Sequence, residues 1–151
     1  MIGRFADPPE RSAAAPLLTE EFVGVARADH PALNADLDAE RFSALDHALF
    51  TLGRDGRGAV DGALAAMGLE RRASLTLPYL MALPEVLRAT DLVAAVPARA
   101  AACFGNGIAT FDLGFLNLAP RRLHMLWSPF ARKNRAHGWL RDMVTVVCAD
   151  I

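Results

Sequence analysis

Thr76, Pro78 and Tyr79 close an apolar run, Ala73 to Leu77, and stand directly before a helical segment. A hydroxyl, a rigid turn and a phenol at one strand tip can hold a small molecule but cannot break a bond by themselves. In sheets of parallel strands, ligands bind beyond the carboxyl ends, against helix N-termini, so Thr76 to Met81 is the place to look. Thr51-Leu52-Gly53 opens a second such stretch and runs on through the turn Gly53 to Gly58, GRDGRG. Unpaired N–H groups at the start of the helix that follows would favour an anion, and glycines would let it approach closely. The stretch lacks the GK[ST] ending of a phosphate loop, and a plain turn is the competing interpretation.

The other reactive side chains do not assemble into catalysis. Ser43, Ser74 and Ser128 have no GxSxG context, and Cys103 and Cys148 lie in no activating or CxxC spacing. Among His30, His47, His124 and His137 no pair has metal-ligand spacing. Neither an enzyme, a metal site nor a cofactor is expected. His47 beside Asp46 suggests a structural hydrogen bond. The basic cluster of Arg121, Arg122, Arg132, Lys133 and Arg135 is interrupted by apolar residues and has no recognition helix beside it. It fits a solvated loop surface.

These residues must be positioned by alternating strands and helices. Strands are expected at Leu17 to Arg27, His47 to Leu52, Ala73 to Leu77 and Leu92 to Val96, because short apolar runs between turn residues suit buried strands. Met1 to Phe5 resembles the tail of a strand, followed by a polar, Pro-rich loop from Ala6 to Pro16. Leu80, Leu83 and Leu87 have helical spacing, so Ala73 to Val96 forms a βαβ unit with parallel strands. Asp38 caps a helix from Ala39 to Leu45 with Phe42 and Leu45 inward. A helix from Ala59 to Met67 buries Val60, Leu64 and Met67 and ends at Gly68 in a left-handed cap. Ile108 to Leu118 is partly extended, and Leu123, Met125 and Trp127 alternate along a further strand. Asn134 caps the last helix, with Trp139, Leu140, Met143, Val144 and Val147 inward.

At 151 residues and 53% hydrophobic content the chain can bury a sizeable core. A formal charge of -1 supplies no overall basic field for nucleic acid. The charged, Pro-containing start lacks the apolar core of a signal peptide, and no apolar run is long enough to span a bilayer. The expectation is a soluble, cytoplasmic protein with no membrane partner and two free, buried thiols.

Taken together, EEFVGVARADHPAL (20–33), DHALFTLGRDGRGAVDGALAAMGLERRASLTLPYL (46–80), DLVAAVPARAA (91–101) and HMLWSPFARKNRAHGWLRDM (124–143) resemble the effector-binding region of LysR-type transcriptional regulators. The resemblance implies an α/β, type 2 periplasmic-binding-protein-like fold, with one complete lobe plus a partial second lobe. Residues 17–107 would be the complete lobe, and residues 1–16 and 108–151 the remnant of the other. The crossings would fall near Pro16 to Thr19 and Gly105 to Thr110.

The family's DNA-binding domain and the opening strands of its first lobe have no counterpart here, as if translation started at an internal methionine or the protein were a truncated relative. The resemblance further implies a small effector, a carboxylate or aromatic acid, contacted by Thr51, Leu52, Gly53, Thr76, Pro78 and Tyr79, with Phe104 near a crossing. It implies a homo-oligomer, a dimer or higher, and DNA contact only through a domain absent from this chain. The rival expectations are a stand-alone small-molecule binding protein and a module that pairs with a full-length regulator.

Overall fold

The computed structural model describes residues 1–3, 11–51 and 58–149. In chain order its elements are β1 (Ile2–Gly3), β2 (Ala13–Glu20), β3 (Phe22–Arg27), α1 (Ala39–Ala44), β4 (Asp46–Phe50), α2 (Ala59–Ala66), β5 (Arg72–Leu77), α3 (Leu83–Arg88), β6 (Ala94–Pro97), α4 (Ala98–Ala102), β7 (Ile108–Phe111), β8 (Arg121–Trp127) and α5 (Arg135–Ala149). Single 3₁₀ turns punctuate them.

The chain divides into two compact units, Glu21–Ala119 and the pair of segments Met1–Glu20 and Pro120–Ile151. In the larger unit β4 and β5 pair in parallel, while β3 pairs antiparallel with both β6 and β7. A parallel bridge from His47 to Val93, with Ala48 N–H donating to the Val93 carbonyl at 2.9 Å, joins the two ladders in the order β5-β4-β6-β3-β7. The two strands around α3 are therefore parallel as expected, but β4 lies between them.

Successive residues of a strand face opposite sides of a sheet, and here both sides are buried. Val25 and Ala94 join Leu83, Leu87, Ala101 and Phe104 on one side. Their neighbours Ala26 and Val93 join Phe42, Val60, Leu64, Leu113 and Leu116 on the other. This is why the strands read as continuous apolar runs and not as alternating ones. Helix starts and stops follow local chemistry: Asp38 accepts from Arg41 N–H at 2.8 Å to cap α1, and Gly68, with φ +73°, follows α2. Met67, expected inside, is 46% exposed.

The expected strand Leu17 to Arg27 is two strands. It breaks at Glu21, so that β2, which takes in Ala13 to Pro16 of the expected loop, pairs with β8 while β3 pairs with β6 and β7. The pairing of β7 with β3 also keeps residues 108–119 in the larger unit. The compact units accordingly divide after Glu20 and after Ala119.

In the smaller unit β8 is the central strand, antiparallel to both β1 and β2, and the register shifts between Pro16 and Leu18. Proline has no N–H for the ladder, which suits an irregularity there. Asn134 caps α5 by accepting from the Ala136 and His137 N–H groups at 3.0 and 3.2 Å. Its side chains depart from expectation: Trp139, Leu140, Met143 and Val147 are exposed, and only Val144 of the five is half-buried. The cysteines depart too, since Cys103 is exposed at the end of α4 and Cys148 is half-buried.

Candidate ligand-binding site

Parallel pairing brings the carboxyl ends of β4 and β5 to the same end of the sheet. The register sets Leu49 opposite Thr76 and Phe50 opposite Leu77, and Thr51 N–H donates to the Leu77 carbonyl at 3.2 Å. Thr51 is thereby held against the stretch that carries Thr76, Pro78 and Tyr79. Pro78, without an N–H, ends the ladder. The Tyr79 carbonyl then accepts from Ala82 N–H at 3.2 Å, starting the 3₁₀ turn Leu80–Ala82 that leads into α3.

Most side chains at this end are open to solvent. Thr76 and Pro78 are exposed, Tyr79 is 74% exposed and Met81 62%. Phe50, which was missed in the sequence, adds a ring at the same strand end, and alternation along β4 from buried Leu49 could have pointed to it. Thr76 shares a face of the sheet with Leu49, and Phe50 shares the other with Leu77, so the hydroxyl and the phenyl ring at this strand end lie on opposite faces. Leu52 and Gly53 lie outside the described residues.

Phe104 is not in this group. It is 3% exposed and packs in the core with Leu83, Leu87 and Ala101, while its carbonyl accepts from Arg88 Nη2 at 2.6 Å. The turn after α4 folds its ring onto the core cluster, away from the strand ends that carry Thr51 and Thr76.

The start of α2 carries its own anion. Asp61 Oδ2 accepts from Gly58 N–H at 2.6 Å, and both Asp61 oxygens accept from Arg71, at 2.8 and 2.9 Å. Burial raises the Asp61 carboxyl, but Arg71 and the Gly58 N–H outweigh it and hold it below the usual carboxylate range. An internal carboxylate thus meets part of the attraction for an anion at this helix end.

His47 is fully buried and bonds through Nε2 to the Phe42 carbonyl at 2.9 Å, with its ring edge-on to Phe42 at 4.6 Å. It does not bond to Asp46, as its neighbouring position suggested. Asp46 instead accepts from Ser74 at 2.7 Å and from Arg72 Nη2 at 2.6 Å, and these contacts hold it below the usual carboxylate range. Among the described residues no cluster of three or more His, Cys, Asp or Glu could hold a metal ion. Also among them, no helix is long and apolar enough to cross a membrane.

Comparison with known proteins places these features in context. The sequence matches the family described as LysR substrate binding domain over residues 1–149. It is 31% identical over 135 residues to the HTH-type transcriptional activator NahR of Pseudomonas putida, covering 89% of this chain and 45% of NahR. It is 30% identical over 131 residues to the HTH-type transcriptional activator NagR of Ralstonia sp, covering 84% of this chain and 42% of NagR. The chain therefore spans less than half the length of these curated relatives. The regulatory domain of MexT, a transcriptional activator in Pseudomonas aeruginosa, superposes with a TM-score of 0.80 at 26% identity, covering 96% of this chain and 70% of that one. The mixed α/β architecture is the type 2 periplasmic-binding-protein-like fold of these regulatory domains.

Proposed function

The chain belongs to the LysR substrate binding domain family, and from that premise we propose that it is an effector-sensing domain of a cytoplasmic transcriptional regulator. Its effector is a small carboxylate or aromatic acid held by Thr51, Thr76, Pro78 and Tyr79. The observation that carries this is the Thr51 N–H to Leu77 carbonyl bond at 3.2 Å, which ties the two strand ends together beneath an open, aromatic-rimmed surface.

Two kinds of contact would do the holding. The hydroxyls of Thr51 and Thr76 offer hydrogen bonds to a carboxylate edge, and Tyr79 offers a ring face for stacking. No bond is made or broken. The ligand acts by favouring one arrangement of subunits over another, which requires that it bind those arrangements unequally. Oligomerisation is part of this function, and DNA contact belongs to a part of the regulator outside residues 1–151.

The test is a thermal-shift and calorimetric titration with benzoate and succinate as aromatic and aliphatic carboxylate probes. We expect benzoate to raise the melting temperature, and Tyr79→Ala to weaken binding roughly tenfold, as loss of one stacking contact of about 1.4 kcal/mol would. Absence of any response to either probe, or full binding by Thr76→Val/Tyr79→Ala, would refute this site.

A further inference from the structure

Helix α5 carries an arginine without a carboxylate. Arg27, Arg71, Arg72 and Arg88 each pair with an aspartate or glutamate, but among the described residues Arg141 makes no ion pair. Its guanidinium carbon lies 5.0 Å from the centre of the Trp127 ring of β8. Gly138, Arg141, Val144 and Cys148 are the half-covered positions of α5 and fall on one face at helical spacing. That face and β8 form a seam, with Arg141 and Trp127 in it.

Both residues bring a donor to the seam, and neither donor is used. Arg141 Nη1 and Trp127 Nε1 are buried and make no hydrogen bond within the described residues. Buried polar groups are ordinarily paired, and a guanidinium taken out of water calls for negative charge as well. The flanking positions carry no acceptor side chain. Ala13 stands opposite Trp127 in the ladder, and Gly138 precedes Arg141 by about one turn, where a side-chain carbon would lie 3.9 Å from Arg141 Nη2.

We propose that these two donors bind a small inorganic anion, a halide such as chloride, which completes the contact of α5 with its sheet. The inference does not depend on the proposed function. Size selects this class, because the chain itself closes both atoms off from solvent and a carboxylate borne by a second protein cannot enter. Water is the rival acceptor. A water that accepts from both donors still has two hydrogens to place, which donors cannot receive, whereas a halide only accepts. Reach agrees with this. An acceptor about 3 Å from each of two donors joins groups up to about 6 Å apart, and the guanidinium stands 5.0 Å from the ring.

The experiment follows the full chain as chloride replaces gluconate at constant ionic strength, with thermal unfolding and the chloride NMR line width as readouts. The wild type should melt roughly 3–6 °C higher at about ten times the dissociation constant, and it should broaden the chloride line saturably. Trp127→Phe keeps a ring and removes the N–H, so it should weaken chloride binding roughly tenfold. Arg141→Met should abolish both responses, while Tyr79→Ala should leave them intact. A wild type with no saturable response would overturn the proposal and make water the occupant. Equal responses in the wild type, Trp127→Phe and Arg141→Met would overturn it too. Should Arg141→Met fail to fold, the wild type and Trp127→Phe decide between these outcomes.

Discussion

A side-chain carbon at position 24 would lie 2.1 Å from the Phe111 ring, so β3 can carry only glycine where that ring crosses it. Gly24→Ala should force Phe111 off its seat and cost about 1–3 kcal/mol, read from the midpoint of urea unfolding. His47 is the second decisive residue. Burial lowers it from 6.5 to about 4, opposed in part by its bond to the Phe42 carbonyl. Between those values the unfolded chain holds a proton that the folded one rejects. The neutral imidazole's contribution is therefore complete above about pH 6.5 and is lost as pH falls toward 4. Unfolding at pH 5.0 should show about 2 kcal/mol less stability than at pH 7.5 from this residue. His47→Gln should shrink the difference by that amount. From the sequence, His47 was legible as structural, but its partner was not. Which backbone carbonyl meets a ring depends on how α1 turns onto β4, and spacing alone does not encode that. Phe104 shows the same limit, because an apolar ring beside a glycine turn fits a ligand wall or a core equally well until the turn's direction is known.

At the scale of elements, the βαβ pattern was readable because parallel strands buried on both faces leave uninterrupted apolar runs, as in Ala94 to Val96 and Ala48 to Leu49. The break between β2 and β3 was not readable. Thr19, Glu20 and Glu21 separate the apolar residues Leu17 and Leu18 from Phe22, Val23 and Val25, but a polar step of three residues also fits one strand passing an exposed stretch, and the different pairing partners are what divide it. The α2 terminus is held by the Asp61 and Arg71 pair, whose side chains are 21% and 6% exposed. Arg71→Ala would leave the Asp61 carboxylate partly buried without its cation. Chemical denaturation should show a loss of about 2–4 kcal/mol, and Asp61→Asn/Arg71→Met should recover part of it. The outward face of α5 was misjudged for a definable reason. Periodicity locates an apolar stripe but does not say whether the chain's own sheet or another surface covers it.

For the molecule as a whole, the order and spacing of motifs revealed more than any single residue did, which is why a family could be named from loose motifs while Phe104 was misplaced. The relatives are transcriptional regulators, and the proposed sensing site is the joined tips of β4 and β5. Its most direct test is a backbone amide NMR titration of the chain with benzoate. The account predicts saturable shifts concentrated at Thr51, Thr76, Tyr79 and Met81, and their loss in Tyr79→Ala. Saturable shifts confined to other parts of the fold, or no shifts at millimolar benzoate and succinate alike, would contradict it.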